Sequence, residues 1–466
     1  MTTNRSWAHF PKTYRLREMH ILAEWVLKGM SGSVAGLPGI GKSNFLGIMC
    51  YRPEIFQTLL KPHQIEVALI PIDLNNLPDD TPATFYRVIL RGFYEVRSYV
   101  DDLLQEAIVS AYQENKAVQD PFLVQSALRE LLAQFRGQNK RVGFVLDRFD
   151  DFCEMAAPQT ISALRGLRDS FKDTLFYLMG MRQEAAYLSD PSKLGELYEI
   201  LDTHVCWLQP LSLDDARWLI ARETQEPASQ PGEQEVAHFL ALSGSIPSLL
   251  KAICHWWLAL PDKPELGEWA DILLTDPAIE YRLQEIFAGL NEEELLLLSE
   301  VEKQTRRRRG ANTKHPGKQH EANVLDHLMI KGICQVDKGR VGISSDLLAT
   351  YLARSERRGR GRIWLDSQTE ELYQGERLIE GLTPLERGIL LFLLKNPRFR
   401  HSKTDLIANA WPDDLSQAGV TDDSLYQVIA GLRKKIEPVS AKPCYILHWH
   451  GNPEGGYQLF PEGRPL

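Results

Sequence analysis

The chain has 466 residues, of which 44% are apolar and 25% charged, with a formal net charge of −9. That length exceeds one ordinary core, so several domains are expected. No uninterrupted apolar run is long enough to span a bilayer, so no membrane partner is expected, and the acidic balance means that nucleic-acid binding would have to come from local patches. The six cysteines (50, 153, 206, 254, 334 and 444) contain no C-x-x-C pair. Neither a zinc site nor a disulfide framework is indicated, and the N-terminus lacks the apolar core of a signal peptide, so a reduced, cytoplasmic protein is expected.

In chain order, the first informative stretch is "GLPGIGKS", Gly36–Ser43. In the pattern G-x-x-x-x-G-K-[ST], glycines Gly36, Gly39 and Gly41 let backbone N–H groups converge on phosphates, Lys42 reaches the β/γ oxygens, and Ser43 ligates Mg²⁺. The reading needs a strand before the loop and a helix after it. "SGSVAG" and "KSNFLGIMCY" suit those places, the helix adding its N-terminal dipole to the anion site. From about residue 20 to 210, apolar runs then alternate with longer helical patterns, as in a parallel α/β sheet. The strands expected are Ile65–Asp73, Arg141–Asp147, Thr174–Arg182 and His204–Leu208, with helical stretches such as Pro82–Gln113 and Phe122–Phe135 between them. The strand ending "VLDRFDDF" places Asp147 where a second Mg²⁺-binding group belongs, facing Ser43, and Arg182 ends the next strand, placed to sense a γ-phosphate.

These residues resemble the STAND branch of the AAA+-like P-loop ATPases, a group of signal-transducing switches, over about residues 10–350. "YRLRE" (Tyr14–Glu18) is similar to that family's aromatic-x-x-Arg-Glu motif near the adenine, which implicates Arg17. "DRFDD" (Asp147–Asp151) is similar to its D-x-h-[DE]-[DE] pattern. "LSGSIPSLL" (Leu242–Leu250) resembles its helical-lid motif, whose Pro247 would touch the nucleotide, and "LQPLSLDDARWLI" the first lid helix. The resemblance implies ATP/ADP and Mg²⁺ as ligands. It departs in one place: Arg148 stands where many AAA+ enzymes carry Glu, so the general base is Asp150 or Asp151, or is absent. Slow hydrolysis, or nucleotide occupancy as a switch, is the expectation.

Beyond the lid, "NVLDHLMIKGICQVDKGRVGISSDLLATYLAR" reads as helix, a strand pair turned at Asp337–Gly339, and helix: a middle winged helix, with the Arg306–Arg309 run in a loop within it. Two basic stretches, Lys303–His320 and Arg354–Arg362, read as loop and interdomain linker. After them "RIWLDSQTEELYQGERLIEG" alternates as a small antiparallel sheet around Gln374-Gly375. Three helices follow, in "TPLERGILLFLLKN", "SKTDLIANAW" and "TDDSLYQVIAGLRKKI", then a hairpin turned around Gly451–Gly455. The first helix carries a capping pattern, Thr383 with Glu386, and Pro384 in its first turn. On the third, Leu425, Ile429, Leu432 and Ile436 make a core face, while Asp423, Gln427, Ala430 and Lys434 form the opposite stripe, flanked by Tyr426 and Arg433. Ala430 and Gly431 would allow close approach to a groove wall, Gln427 can pair with adenine, and Arg433, Lys434 and Lys435 suit phosphates or guanine.

"LTPLERGILLFLL", "VTDDSLYQVIAGLRKKIE" and "GGYQL" together closely resemble the OmpR/PhoB-type winged-helix DNA-binding domain over about residues 362–460. The domain expectation is a P-loop ATPase core at 1–210, a helical lid at 211–275, a middle winged-helix domain at 276–354, a basic linker at 355–362 and a DNA-binding winged helix at 363–466. The fold class is therefore multidomain α/β plus α+β. The functional expectation is an ATP-dependent regulator that binds duplex DNA. A nucleotide-dependent homo-oligomer is part of it, and because no sensor repeat array is found, the expected signal is a protein partner or nucleic acid itself. The alternative is an effector or targeting ATPase in antiviral defence or mobile-element transposition.

Overall fold

One small-residue run and four apolar runs become the strands of a single parallel sheet. They are β1 (Gly32–Ala35), β2 (Val67–Asp73), β3 (Arg141–Asp147), β4 (Leu175–Met181) and β5 (Val205–Trp207), in the order β2-β3-β4-β1-β5. All seven residues of β4 are buried, as a strand covered on both faces must be. The expected strands recur within a residue or two, and β4 stops at Met181, so Arg182 is the first residue beyond it. From β1 the chain crosses to the sheet's edge at β2 and then steps back through β3 and β4. The carboxyl ends of β1, β3 and β4 therefore open on one crevice, the position at which open α/β sheets bind ligands.

The computed structural model describes residues 7–466 apart from 189, 226–229, 308–318, 338, 358–360, 367–368, 376, 411–421, 439, 441–442, 450, 452–454 and 464–466. It divides into two compact units, one of residues 1–301 with 307–348, the other of 302–306 with 349–466.

In the first unit the sheet's main core joins aliphatic side chains to buried aromatic rings, among them Phe85, Phe93, Phe135, Phe144 and Tyr177. The helices supplying it start on side-chain caps: Thr81 for Pro82–Val96, Asp101 for Asp102–Asn115 and Asp120 for Pro121–Gly137. The stretch expected as one helix, Pro82–Gln113, is thus two, because a 3₁₀ turn at Arg97–Tyr99 and the Asp101 cap intervene. Beyond β5 come the helices Leu213–Glu223, Glu233–Ser243, Pro247–Ala259 and Pro277–Ala288. Next are Glu292–Arg307, Gln319–Ile330, the antiparallel pair β6 (Cys334–Asp337) and β7 (Arg340–Ile343), and Asp346–Arg357. The helix–strand pair–helix order is the expected one. Two boundaries differ. Helix Glu292–Arg307 takes in the start of the basic stretch expected as loop, and helix Asp346–Arg357 runs into the expected linker. Of those stretches, 308–318 and 358–360 lie outside the described residues.

Close contacts join this middle segment to helix Glu233–Ser243 and the turn after it. Ser345 Oγ donates to Leu242 O at 2.6 Å, and a Cβ at Gly244 would stand 2.8 Å from Ser344 O. A buried ion pair, Lys331 Nζ to Glu294 Oε1 at 2.7 Å, ties the helix after Asn291 to the turn before β6.

From residue 363 the second unit, which also takes in 302–306 and the helical residues 349–357, forms a three-stranded antiparallel sheet, β8 (Ile363–Leu365), β9 (Leu372–Gln374) and β10 (Arg377–Leu378), ordered β10-β9-β8. Helices Pro384–Lys395, Lys403–Ala410 and Asp422–Ile436 follow, with β11 (His401–Ser402), β12 (Ile446–Trp449) and β13 (Gly456–Leu459) in a second sheet ordered β11-β13-β12. Thr383 and Glu386 form the expected reciprocal cap, at 3.3 and 2.7 Å. The short strand β11 is an addition to the expected hairpin. It needs Gly456, where a Cβ would fall 1.9 Å from His401 O. The hairpin's expected turn lies partly outside the described residues, at 452–454. Leu425, Ile429, Leu432 and Ile436 are at most 1% exposed and pack with Ile389, Leu390 and Leu393.

Candidate nucleotide cleft and candidate nucleic-acid face

The loop between β1 and helix Lys42–Tyr51 turns on Gly39 and Gly41, whose φ angles of +79° and +89° belong to the left-handed region. At Gly39 the chain has no room either: a Cβ would stand 2.1 Å from Ser248 Oγ. The first N–H groups of the helix have no intrahelical acceptor, so the helix presents donors and the positive end of its dipole to the crevice. Lys42 Nζ donates to Gly36 O at 3.1 Å across the loop. Burial holds the Lys42 ammonium below its ordinary pKa, opposed by Asp150 and Asp147.

A cleft of about 580 Å³ opens above this loop. Gly39, Gly41, Lys42, Ser43, Asp147, Asp150, Arg182 and Pro247 all line it. Asp147, at the end of β3, accepts the Arg148 N–H at 3.0 Å and leans over β4, where a Cβ at Gly180 would stand 3.0 Å from its Oδ1. Arg148 takes a left-handed conformation, φ 59°, and starts the short helix Phe149–Met155. Asp150 is 8% exposed; its Oδ2 accepts the Arg182 backbone N–H at 3.0 Å, and its Oδ1 has no partner. Asp151 does not line the cleft, and its Oδ2 accepts from the Arg182 guanidinium at 2.8 Å. Of the two carboxylates left open as base, only Asp150 faces the cleft.

Gly36 sits behind the loop as acceptor for Lys42. Arg17 lies outside the cleft: it is exposed and donates to Gln209 Oε1. The neighbouring Arg15 supports the loop instead. Its guanidinium donates to Ile40 O at 2.5 Å and Gln209 O at 2.8 Å, and its backbone N–H donates to Asp215 at 3.1 Å. Alternation of Arg, Leu and Arg in "YRLRE" gives no signal of which arginine turns inward. Sequence reasoning also missed Phe10, Ser248, Lys251, Tyr281 and Glu285, all of which line the cleft. Ser248 and Lys251 were within reach, being one and four residues after Pro247 on one helix.

The cleft's chemistry suits a nucleotide polyphosphate with a divalent cation. Helix N–H groups and Lys42 supply donors for phosphate oxygens. Among the described residues no group of three or more His, Cys, Asp and Glu could hold a metal by itself. An ion would thus be held by Ser43 and Asp147 together with phosphate oxygens, as Mg²⁺ commonly is. At the other end, Phe10 and Tyr14 pack edge to face at 4.7 Å with Trp218 beside Phe10 at 4.8 Å, an aromatic border that suits a flat ring.

In the second unit, helix Asp422–Ile436 buries its core face and exposes Asp423, Tyr426, Gln427, Ala430 and Lys434. Two expected phosphate cations are committed within the domain. Arg433 donates from Nε and Nη2 to Ile446 O at 3.1 and 2.7 Å, and burial lowers its pKa. Lys435 donates to Gly381 O at 2.7 Å and pairs with Glu386. Gly431, expected to admit a groove wall, faces inward: a Cβ there would stand 2.4 Å from Glu386 Oε1. Lys434 remains exposed on the stripe, and Lys403 adds an ammonium 4.8 Å above the Tyr426 ring.

Residues 378–459 match the family described as transcriptional regulatory protein, C terminal. The chain therefore carries a winged-helix domain of that kind at its C-terminal end. Among solved structures it is similar to a Walker-type ATPase of Pyrococcus abyssi, with 15% identity, a TM-score of 0.41, and 74% of this chain and 98% of that one covered. It is also similar to the ORC2 protein of Aeropyrum pernix in ADPNP–ADP complexes (15%, 0.35, 73% and 91%) and to the ORC1 protein of Aeropyrum pernix in complex with DNA (16%, 0.33, 73% and 92%). Likenesses this distant say nothing of what this chain binds. No curated protein matches it. Among the described residues, no helix is long and apolar enough to cross a membrane.

Proposed function

We propose that the chain is a switch of the STAND type that binds ATP or ADP with Mg²⁺, hydrolyses ATP slowly, and engages duplex DNA through its C-terminal winged helix as a transcriptional regulator. The observation that carries the reading is the convergence of Lys42, Ser43, Asp147 and Asp150 on one cleft in a chain whose residues 378–459 match a regulator's DNA-binding family. Lys42 and the helix N–H groups bind and orient the phosphates. Ser43 and Asp147 hold the ion, which when bound neutralises phosphate charge. Asp150 orients a water through its unpartnered Oδ1, while Arg182 is restrained by Asp150 and Asp151. With Arg148 in place of a carboxylate beside Asp147, the attacking water has a single nearby base, and turnover falls at or below the slow end of the range of about 1–100 s⁻¹ typical of kinases.

On the second unit, Gln427 reads a base edge, Tyr426 packs beside it, and Lys434 meets phosphate. The test is a titration of labelled duplex with the full chain at several salt concentrations, with and without Mg²⁺ and a non-hydrolysable ATP analogue. The reading expects duplex binding whose affinity changes with the analogue. Binding that ignores nucleotide, or no binding at low salt, would overturn it.

A further inference from the structure

We propose that Glu285 biases the cleft towards a nucleoside diphosphate over a triphosphate; this rests on the nucleotide reading above and names how the same site is regulated. Glu285 lies on helix Pro277–Ala288, which is capped by Asp276 and buries Ile279, Leu283 and Ile286 at no more than 1% exposure. The same 3.6-residue repeat carries Tyr281 and Glu285, four residues apart, along another stripe, and both line the cleft. Tyr281 is 61% exposed where it lines the cleft.

The helix is seated on the phosphate loop itself. At its C-cap, Gly289, a Cβ would stand 2.9 Å from Leu37 Cδ2 and 3.1 Å from Pro38 Cδ. The negative end of the helix dipole therefore meets the loop that must hold an anion. Glu285 adds a full negative charge to the same wall. Of the cleft's other carboxylates, Asp147 accepts the Arg148 N–H and Asp150 the Arg182 N–H. Among the described residues Glu285 has neither an ion-pair nor a hydrogen-bond partner.

Repulsion between the exposed Glu285 carboxylate and a bound polyanion grows with the ligand's charge and falls with their separation. A triphosphate carries about one charge more than a diphosphate. At separations of roughly 8–10 Å in a partly solvated cleft, that difference amounts to a two- to fivefold preference, by about Coulomb's law with a high effective dielectric. The chain leaves this helix at Gly289 and passes through Leu290 and Asn291 into helix Glu292–Arg307.

The test measures dissociation constants of ADP and a non-hydrolysable ATP analogue, both with Mg²⁺, on the full chain. In Glu285→Gln the ratio of triphosphate to diphosphate dissociation constants should fall about two- to fivefold, and further in Glu285→Lys. Raising the salt should move the wild-type ratio the same way and move that of Glu285→Gln less. Ratios unchanged in both charge variants at low salt would overturn the inference while leaving the nucleotide site standing. A wild-type chain that binds neither nucleotide would overturn the site and the inference together.

Discussion

The Arg182 guanidinium rests on the Asp151 carboxylate at 2.8 Å while its own backbone N–H donates to Asp150 at 3.0 Å, so one residue separates the roles of two adjacent acids. Asp150 faces the cleft, and Asp151 holds the arginine. Asp150→Asn should retain ATP binding and lower hydrolysis about 100-fold or more, the scale of a lost general base. Asp151→Asn should alter the rate less than about tenfold and leave stability within about 1 kcal/mol, because the pair is partly solvated. Single-turnover hydrolysis of both variants checks this, and the reverse ranking would refute the assignment.

Lys42→Ala removes the cation that bridges the loop. The variant should remain folded, since Lys42 makes a single hydrogen bond to Gly36 O, yet lose the rise in melting temperature that Mg²⁺ and ATP give the wild type. An undiminished nucleotide-induced shift would show that the phosphates bind elsewhere.

On the winged helix, Arg433 and Lys434 are neighbours with opposite expected phenotypes. Arg433→Ala leaves Ile446 O without its donors and should destabilise the domain by about 1.5–3 kcal/mol, with little change in the salt dependence of DNA binding. Lys434→Ala should leave stability intact and reduce the slope of log affinity against log salt by about one. Denaturant melts and salt titrations of the two variants distinguish the cases.

Gln427→Ala should relax the preference at a single base pair by about 1–3 kcal/mol while leaving affinity for unrelated sequences nearly constant. Selection of duplexes from a random pool by wild type and variant measures it. A uniform loss across sequences would make Gln427 a backbone contact.

Glu386 gives a pH dependence. Burial raises its carboxyl pKa, but Lys435 and the Thr383 cap outweigh burial and hold it below the usual glutamate range. Because the folded value is the lower one, the stabilisation is complete above the unfolded pKa of about 4.3 and is lost as pH falls through the folded value. Acid titration followed by near-ultraviolet circular dichroism should show part of the winged helix's acid sensitivity removed in Glu386→Gln. An identical acid midpoint would exclude this pair as the source.

Much of this architecture is legible in the chain because the elements involved announce themselves locally. Gly39, Gly41 and Lys42 sit in a spaced motif, Thr383 and Glu386 in a capping pattern, and Leu425 to Ile436 in a helical repeat. What stayed hidden depends on long-range closure. Arg15 takes a left-handed conformation, φ 51°, and its N–H donates to Asp215, 200 residues away, a contact that the local sequence does not announce. Likewise nothing near "LRKKIE" says that Arg433 will be taken up by Ile446 O, since β12 reaches it only once the second sheet has formed. Tyr281 and Glu285 read as an ordinary amphipathic helix until its C-cap is seen against Leu37 and Pro38.

Glu437, directly after helix Asp422–Ile436, is 3% exposed and receives the backbone N–H groups of Cys444, Tyr445 and Ile446 at 2.7, 2.9 and 2.7 Å. One carboxylate thereby welds the helix's end to the first strand of the terminal hairpin, so the two cannot swivel independently. A stiff two-pronged tool of that kind has little freedom to mould itself to a groove. If duplex DNA is its ligand, most of the bending falls to the DNA, and a sequence's pliability between the two prongs would influence affinity even at bases that no side chain touches.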